Sequence, residues 1–316
     1  MGHDLVVLGD LVADLIVPVE RLPLLPDRHG WAEGIFVEPG GAGNVLVAAR
    51  RVDLVTASLG HLGADRYGTD LRLMLEREGV DMSHAATCED RATVLCIVLA
   101  DTLGQHVYLG VKDNKGLWPF PAEWHHVIQR SRALYADGYT LRDLLAPEDV
   151  LAAFASARAA GVPVFFDPGP SVEFLSRPVL ERALAATDVL LLAESEAAFL
   201  TSAEDREAVA RSLLTLGPST VVLKLGAGGC IVATSDEVAA IPGFAVPVVD
   251  TVGAGDSFAA ALIAGWLRGG SLRECAVLAN AMGALVATQR GAGTRIPARE
   301  RLLTLLADHP AARALV

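Results

Sequence analysis

The chain has 316 residues, 52% of them hydrophobic and 20% charged, with a formal charge of −12. That composition implies a sizeable core and excludes global disorder. The acidic balance excludes nucleic acid and anionic membranes as expected partners, because both demand clustered Lys and Arg.

Asp4, Asp10 and Asp14 interrupt the apolar N-terminus MGHDLVVLGDLVADLIVPVE, and no basic leader precedes it. It reads as strand and turn rather than a signal peptide. No stretch reaches the ~18 uninterrupted apolar residues of a membrane span, so a cytoplasmic protein is expected. Leu5–Leu8 is a buried-strand pattern ending at Gly9, Leu11–Val19 continues in β-prone residues, and Ile35–Val37 is another short strand. Gly40-Gly41-Ala42-Gly43-Asn44 breaks that strand, and the Ala- and Leu-rich run after it reads as a helix. Val55–Leu59 is a strand and Asp70–Glu78 a helix. Thr93–Leu99 and His106–Val111 form a hairpin about the polar turn Asp101–Gln105.

The pattern then becomes regular. Strands at Ala133–Tyr135, Val162–Phe166, Val189–Leu192, Thr220–Lys224 and Cys230–Ala233 are accompanied by helices at Pro147–Ala160, Pro178–Ala186, Ala203–Leu216 and Ser257–Arg268. Such alternation predicts a mostly parallel sheet with helices on both faces. Two β-rich segments without helices, about 12–38 and 88–115, predict a small second sheet, a lid, on one compact unit spanning 1–316. The four cysteines (Cys88, Cys96, Cys230, Cys275) are too scattered for a zinc site or disulfide framework.

The strongest chemical signal is Asp250-Thr251-Val252-Gly253-Ala254-Gly255-Asp256-Ser257-Phe258, followed by AAALIAGWL. The glycines allow a tight turn into a helix whose first amides have no intrahelical acceptor. Those amides and the helix dipole favour an anion, as a phosphoryl group in transfer requires. Asp256 stands beside that site, where a base must stand to take a proton from an attacking hydroxyl. Asp10 and Asp14 are carboxylates in an apolar stretch, for which sugar hydroxyls would be natural partners. Asp137 follows a strand at the edge where open α/β sheets bind ligands. Asp167-Pro168-Gly169-Pro170 also follows a strand but reads mostly as a turn. Lys112 and Asn114 read as a solvated turn, His61, His125 and His126 as surface or loop residues, and Trp118 and Trp124 as packing.

DTVGAGDSFAAALIAGWL resembles the C-terminal signature of the ribokinase-like (pfkB) carbohydrate kinases, and PGGAGNVLVAARRV at Pro39–Val52 resembles their N-terminal signature. LGHLGADRYGTDLRLMLEREGVD at Leu59–Asp81 matches a further family stretch, and the resemblance runs on to GAGTRIP at Gly291–Pro297. It implies a ribokinase-like three-layer α/β/α sandwich with a β-sheet lid, acting as an ATP-dependent kinase on a sugar, polyol or nucleoside. It assigns Asp256 as catalytic base, Gly253, Ala254 and Gly255 as the anion hole, and Asp14, Gly41, Gly43 and Asn44 to the acceptor pocket. Lys224, Gly226, Gly228 and Gly229 would line the ATP phosphates and ribose, Asn280 the adenine, and Glu196 would organise Mg²⁺. Asp250 with the carbonyls of Val252, Val286 and Gly291 would hold a monovalent cation, potassium. Pairing of two lids would make a homodimer. This chain departs from the pattern at Ala193 and Val12, where the family or ribokinase has Asn, and at Arg295, which replaces a small cation-site residue. A dinucleotide-dependent oxidoreductase would need Gly or Ala where Leu46 stands in Gly41-x-Gly43-x-x-Leu46. A ligand-binding protein that has lost catalysis is the remaining alternative.

Overall fold

A computed structural model describes residues 2–316. The chain opens with β1 (Leu5–Leu8), β2 (Leu11–Pro18) and β3 (Phe36–Gly41), then α1 (Ala42–Arg51), β4 (Thr56–Leu59), β5 (His61–Gly63), α2 (Arg66–Arg77), β6 (Ala86–Cys88), β7 (Val94–Ala100) and β8 (His106–Val111). Next come α3 (Trp124–Gln129), β9 (Leu134–Asp137), α4 (Pro147–Ala159), β10 (Val164–Asp167), α5 (Arg177–Ala185), β11 (Val189–Ala193) and the short α6 (Glu194–Ala197). The chain ends with α7 (Arg206–Leu214), β12 (Thr220–Lys224), β13 (Cys230–Ala233), β14 (Val238–Ile241), α8 (Ala254–Leu267), α9 (Leu272–Val286), α10 (Arg299–Leu305) and α11 (Pro310–Arg313).

The main sheet runs β14-β13-β12-β11-β10-β9-β1-β4, parallel from β4 to β12 and antiparallel across β13 and β14. Its strands are apolar on both faces, because helices cover both. The alternation sends Val7, Tyr135, Phe165 and Leu191 toward α1, α8 and α9. It sends Leu8, Leu134, Phe166 and Leu190 toward α3, α4, α5 and α7. Each aromatic or branched side chain removed from water in this way contributes about 1.5–3 kcal/mol. This is the expected α/β/α sandwich. Among the described residues no helix is long and apolar enough to cross a membrane.

The second sheet, β3-β2-β7-β8, is the expected lid, with β2 parallel to β7 and the outer pairs antiparallel. One face carries Asp14, Cys96, Val98 and Tyr108, set by the registers Asp14↔Cys96 and Val98↔Tyr108. The other face carries Leu15, Ile97 and Leu109 in register. Cys88 lies outside this sheet, because β6 pairs with β5.

Helix α9 was not among the sequence expectations, although Ser271 and Glu274 form a capping box at its start. It packs closely on α8, where a Cβ at Gly265 would come within 2.9 Å of the Cys275 sulfur. His61 is a correction. It is only 3% exposed, packs between Trp118 and Trp124, and meets the Pro119 carbonyl at 2.8 Å. Burial pushes its ring down to about 4. Both tryptophans pack in the core, as expected.

Candidate active site

The parallel strands deliver a set of charged side chains to one edge of the sheet. Asp10 follows β1, Asp137 ends β9, Asp167 ends β10, Glu196 follows β11 and Lys224 ends β12. This is the carboxyl edge, where open α/β sheets bind ligands. The lid brings Asp14 to the same place, and α8 begins there.

Asp256 lies in the first turn of α8. The turn into the helix is made by Gly253 at φ +72°, where a Cβ would stand 2.3 Å from the Ala292 Cβ. Ala254 donates its amide to the Thr251 carbonyl at 3.2 Å. The first-turn amides without an intrahelical acceptor are therefore those of Gly255 and Asp256. Desolvation pushes the Asp256 carboxyl up to about 6, against a hydrogen bond from Asn44 that favours the charged form.

Asn44 is a central tie. Its Nδ2 donates to Asp256 Oδ2 at 2.9 Å, and its Oδ1 accepts from the Gly293 amide at 2.9 Å. It is 3% exposed, so both halves of the amide are committed to the protein. Its place beside Asp256 differs from the expected contact with the acceptor.

Lys224 meets Asp167 at 2.5 Å. Burial acts to lower the ammonium, but Asp167 and Glu196 together hold it above its usual range. A Cβ placed on Gly255 would sit 3.7 Å from the Lys224 nitrogen, which puts this cation beside the start of α8. In the sequence Asp167 reads as part of a turn, whereas its carboxylate pairs with Lys224 in the site. Its signal was a lone acidic residue at the end of a fully apolar strand. Burial and Asp167 push the Glu196 carboxyl up, while Glu196 Oε2 accepts from the Ala193 amide at 2.6 Å. Two carboxylates beside a lysine offer the hard oxygen ligands that Mg²⁺ prefers, and with the free amides they fit a metal–polyphosphate.

On the acceptor side, desolvation pushes Asp10 up to about 8 and Asp14 up to about 7, with neighbouring carboxylates adding to both. Asp137 rises to about 6, also chiefly by desolvation, while the Thr140 amide donates to its Oδ1 at 2.8 Å. Asp10 Oδ1 is enclosed and has no protein partner. The backbone approaches these carboxylates closely. A Cβ on Gly40 would lie 2.3 Å from the Asp14 carboxylate, and Gly41, at φ +54°, leaves only 2.6 Å to the Asp10 carbonyl. Gly43 has a different role from the one expected, since its missing Cβ makes room for Pro39 at 2.8 Å. Lys112 pairs with Asp143 at 3.0 Å.

On the nucleotide side, Gly226 is exposed at φ +57° with open space around its Cα. Gly228 lies in the same short turn. Gly229 is buried, and a Cβ there would strike the Ile241 carbonyl. Asn280 donates to the carbonyls of Ile241 and Pro242 at 3.2 and 3.1 Å, so its amide nitrogen holds the strand end β14.

The Asp250 carboxylate accepts from the amides of Val252 and Gly291 at 2.9 and 2.8 Å, and His106 of the lid meets it at 3.1 Å. Arg295 turns away to Glu38 at 2.9 Å and over the Phe36 ring. Two backbone amides and a His106 contact thus already engage the one side chain expected to hold a monovalent cation.

A model described as pfkB family carbohydrate kinase matches residues 3–299. The chain is a member of that family. This pfkB-family protein is 31% identical to a fructokinase of Klebsiella pneumoniae, over 96% of this chain and 99% of that one. It is 33% identical to an ATP-dependent ribose-1-phosphate kinase of Halopiger xanaduensis, over 90% and 92%. Its structure superposes on Arabidopsis thaliana ribokinase complexed with ribose and ATP with a TM-score of 0.82 at 25% identity, over 97% and 99% of the two chains. The kinase is a phosphotransferase with an alcohol group as acceptor.

Proposed function

We propose that this kinase transfers the γ-phosphoryl group of ATP to a hydroxyl of a sugar, polyol or nucleoside, with Asp256 as the base. The carrying observation is the placement of Asp256 in the first turn of α8, beside two free amides and Lys224. In this reading the Gly255 and Asp256 amides face the transferred group and offset its charge as the acceptor oxygen attacks. Lys224, held by Asp167, adds a positive charge on the nucleotide side. Bound with the nucleotide, Mg²⁺ supplies charge neutralisation of the phosphates, and Glu196 and Asp167 are the residues placed to orient it.

Asp14, Asp10 and Asp137 hold the acceptor by hydrogen bonds with its hydroxyls, donating where the carboxyl carries its proton and accepting where it does not. The one nearby lysine, Lys112, is already paired with Asp143. A desolvated pocket that raises its own carboxyls, with Lys112 already paired, favours an uncharged, hydroxyl-rich acceptor over a phosphorylated or carboxylated one, whose charge would be buried without a partner. The decisive measurement is acceptor-dependent ADP release from ATP–Mg²⁺ across neutral sugars, polyols, nucleosides and sugar phosphates. Asp256→Asn should lose about 10²–10⁴-fold in rate, the usual weight of a general base, and keep its ATP-induced thermal shift. A fully active Asp256→Asn enzyme would sink the assignment of the base.

The outer face of the lid supports a second part of the proposal, a homodimer through paired lids. Leu15, Ile97 and Leu109 form one apolar row, with Leu99 and Val107 beside it. Leu109 and Val107 are 60% and 47% exposed. Light scattering should give twice the 33.1 kDa chain mass. A monomer at micromolar concentration would overturn this part.

A further inference from the structure

At the opposite edge of the main sheet, away from the acceptor and nucleotide, three side chains from separate segments converge. His3 precedes β1, while Asp81 and His84 lie between α2 and β6. His3 Nε2 meets Asp81 Oδ2 at 2.9 Å, and the rings of His3 and His84 stand edge to face at 5.7 Å. One donor atom from each residue can be chosen so that all three lie within 4.8 Å of one another.

We propose that His3, Asp81 and His84 form a binding site for one divalent transition ion of the zinc or copper kind. Two imidazole nitrogens and one carboxylate oxygen are the donor set such ions take, whereas Mg²⁺ prefers oxygen ligands and water. The site would therefore not compete with the nucleotide for its metal. Donors around a tetrahedral zinc at about 2.0–2.1 Å lie roughly 3.4 Å apart. The present spacing, within 4.8 Å, would have to tighten on binding.

The backbone beneath these side chains is fixed on every side. The His3 carbonyl accepts from the Arg132 amide at 3.0 Å, and the Asp81 amide donates to Thr56 at 2.9 Å. The His84 carbonyl accepts from the indole of buried Trp124 at 2.9 Å. Asp81 Oδ1 accepts from the Ser83 amide at 2.9 Å, which orients the carboxylate and leaves Oδ2 toward the histidines. The Asp81 side chain is 38% exposed and that of His3 15%, so an ion has a path in and room for water as a fourth ligand. Bound there, it would join the start of β1 to the segment that follows α2.

The test uses the full chain, purified without a histidine tag, stripped with chelator and kept in excess Mg²⁺ so that oxygen-rich sites are filled. Calorimetric titration with ZnCl₂ should show one strong equivalent, weakened at least tenfold in His84→Ala and in His3→Ala. With one equivalent of CuCl₂, the electron spin resonance spectrum should carry coupling to two imidazole nitrogens in the parent and to one in His84→Ala. Both variants should release ADP at the parent rate, because the cluster is remote from Asp256. Should His3→Ala fold poorly, His84→Ala carries the test alone. The proposal fails if the parent binds no stoichiometric zinc, or if the variants bind it equally, which would place the ion on the cysteines or the acceptor-site carboxylates.

Discussion

Asn44→Leu isolates the electrostatics of Asp256, the proposed base. Leucine keeps the shape of the side chain but removes the donor to Asp256 and the acceptor for the Gly293 amide. A hydrogen bond to a charged group is worth about 1.5–3 kcal/mol, or roughly 1–2 units of pKa. With the bond, the Asp256 carboxyl is pushed up only to about 6. Without it, desolvation acts unopposed and the acid form persists into the neutral range. At pH 7 the ionised fraction should fall from about nine-tenths to between roughly a half and a tenth. The assay is kcat/KM against pH for ADP release. Its acid limb reports the base in the free enzyme and should move upward by about 1–2 units. The unpaired Gly293 amide costs a further ~1–3 kcal/mol of stability, which lowers activity without displacing the limb. An acid limb that stays near 6 in the variant would refute the argument, whatever happens to the maximal rate.

Two further outcomes follow from the same geometry. Lys224→Met leaves Asp167 enclosed without its partner and should cost about 3–5 kcal/mol, read from denaturant unfolding; adding Asp167→Asn should recover much of the loss. Because the Asp250 carboxylate already accepts from the Val252 and Gly291 amides and lies against His106, potassium chloride should raise neither ADP release nor the melting temperature beyond an equal concentration of choline chloride; a several-fold activation specific to potassium would contradict that reading.

The layered architecture was legible because it is written in local pattern. Apolar runs such as Leu5–Leu8 and Val189–Leu192 are the strands buried under helices on both faces. Asp250–Phe258 announced its turn through Gly253, which stands at a positive φ. What sequence could not supply were pairings between distant segments. Asp167 and Lys224 end β10 and β12, with β11 between them in the sheet and 57 positions between them in the chain, and neither local string carries the other's charge. Asn44 looked like a pocket residue because its type suits a sugar, yet folding places α1 against α8 and uses both ends of its amide there. His61 has the same lesson in reverse. A polar residue between strands looks exposed until Trp118 and Trp124 close over it.

Polar contacts tie the second sheet to the core beside its apolar packing. Glu38 of β3 takes the Thr294 amide and Arg295, and His106 of β8 meets Asp250. The His106–Asp250 contact and the Glu38 carboxylate are largely enclosed, and Leu11 and Ala13 of β2 lie in the hydrophobic core beside them. Parting such contacts would strand buried charge and expose apolar surface together. The sheet is therefore seated firmly on the core, and the ionic strength of the medium is a weak lever on its position.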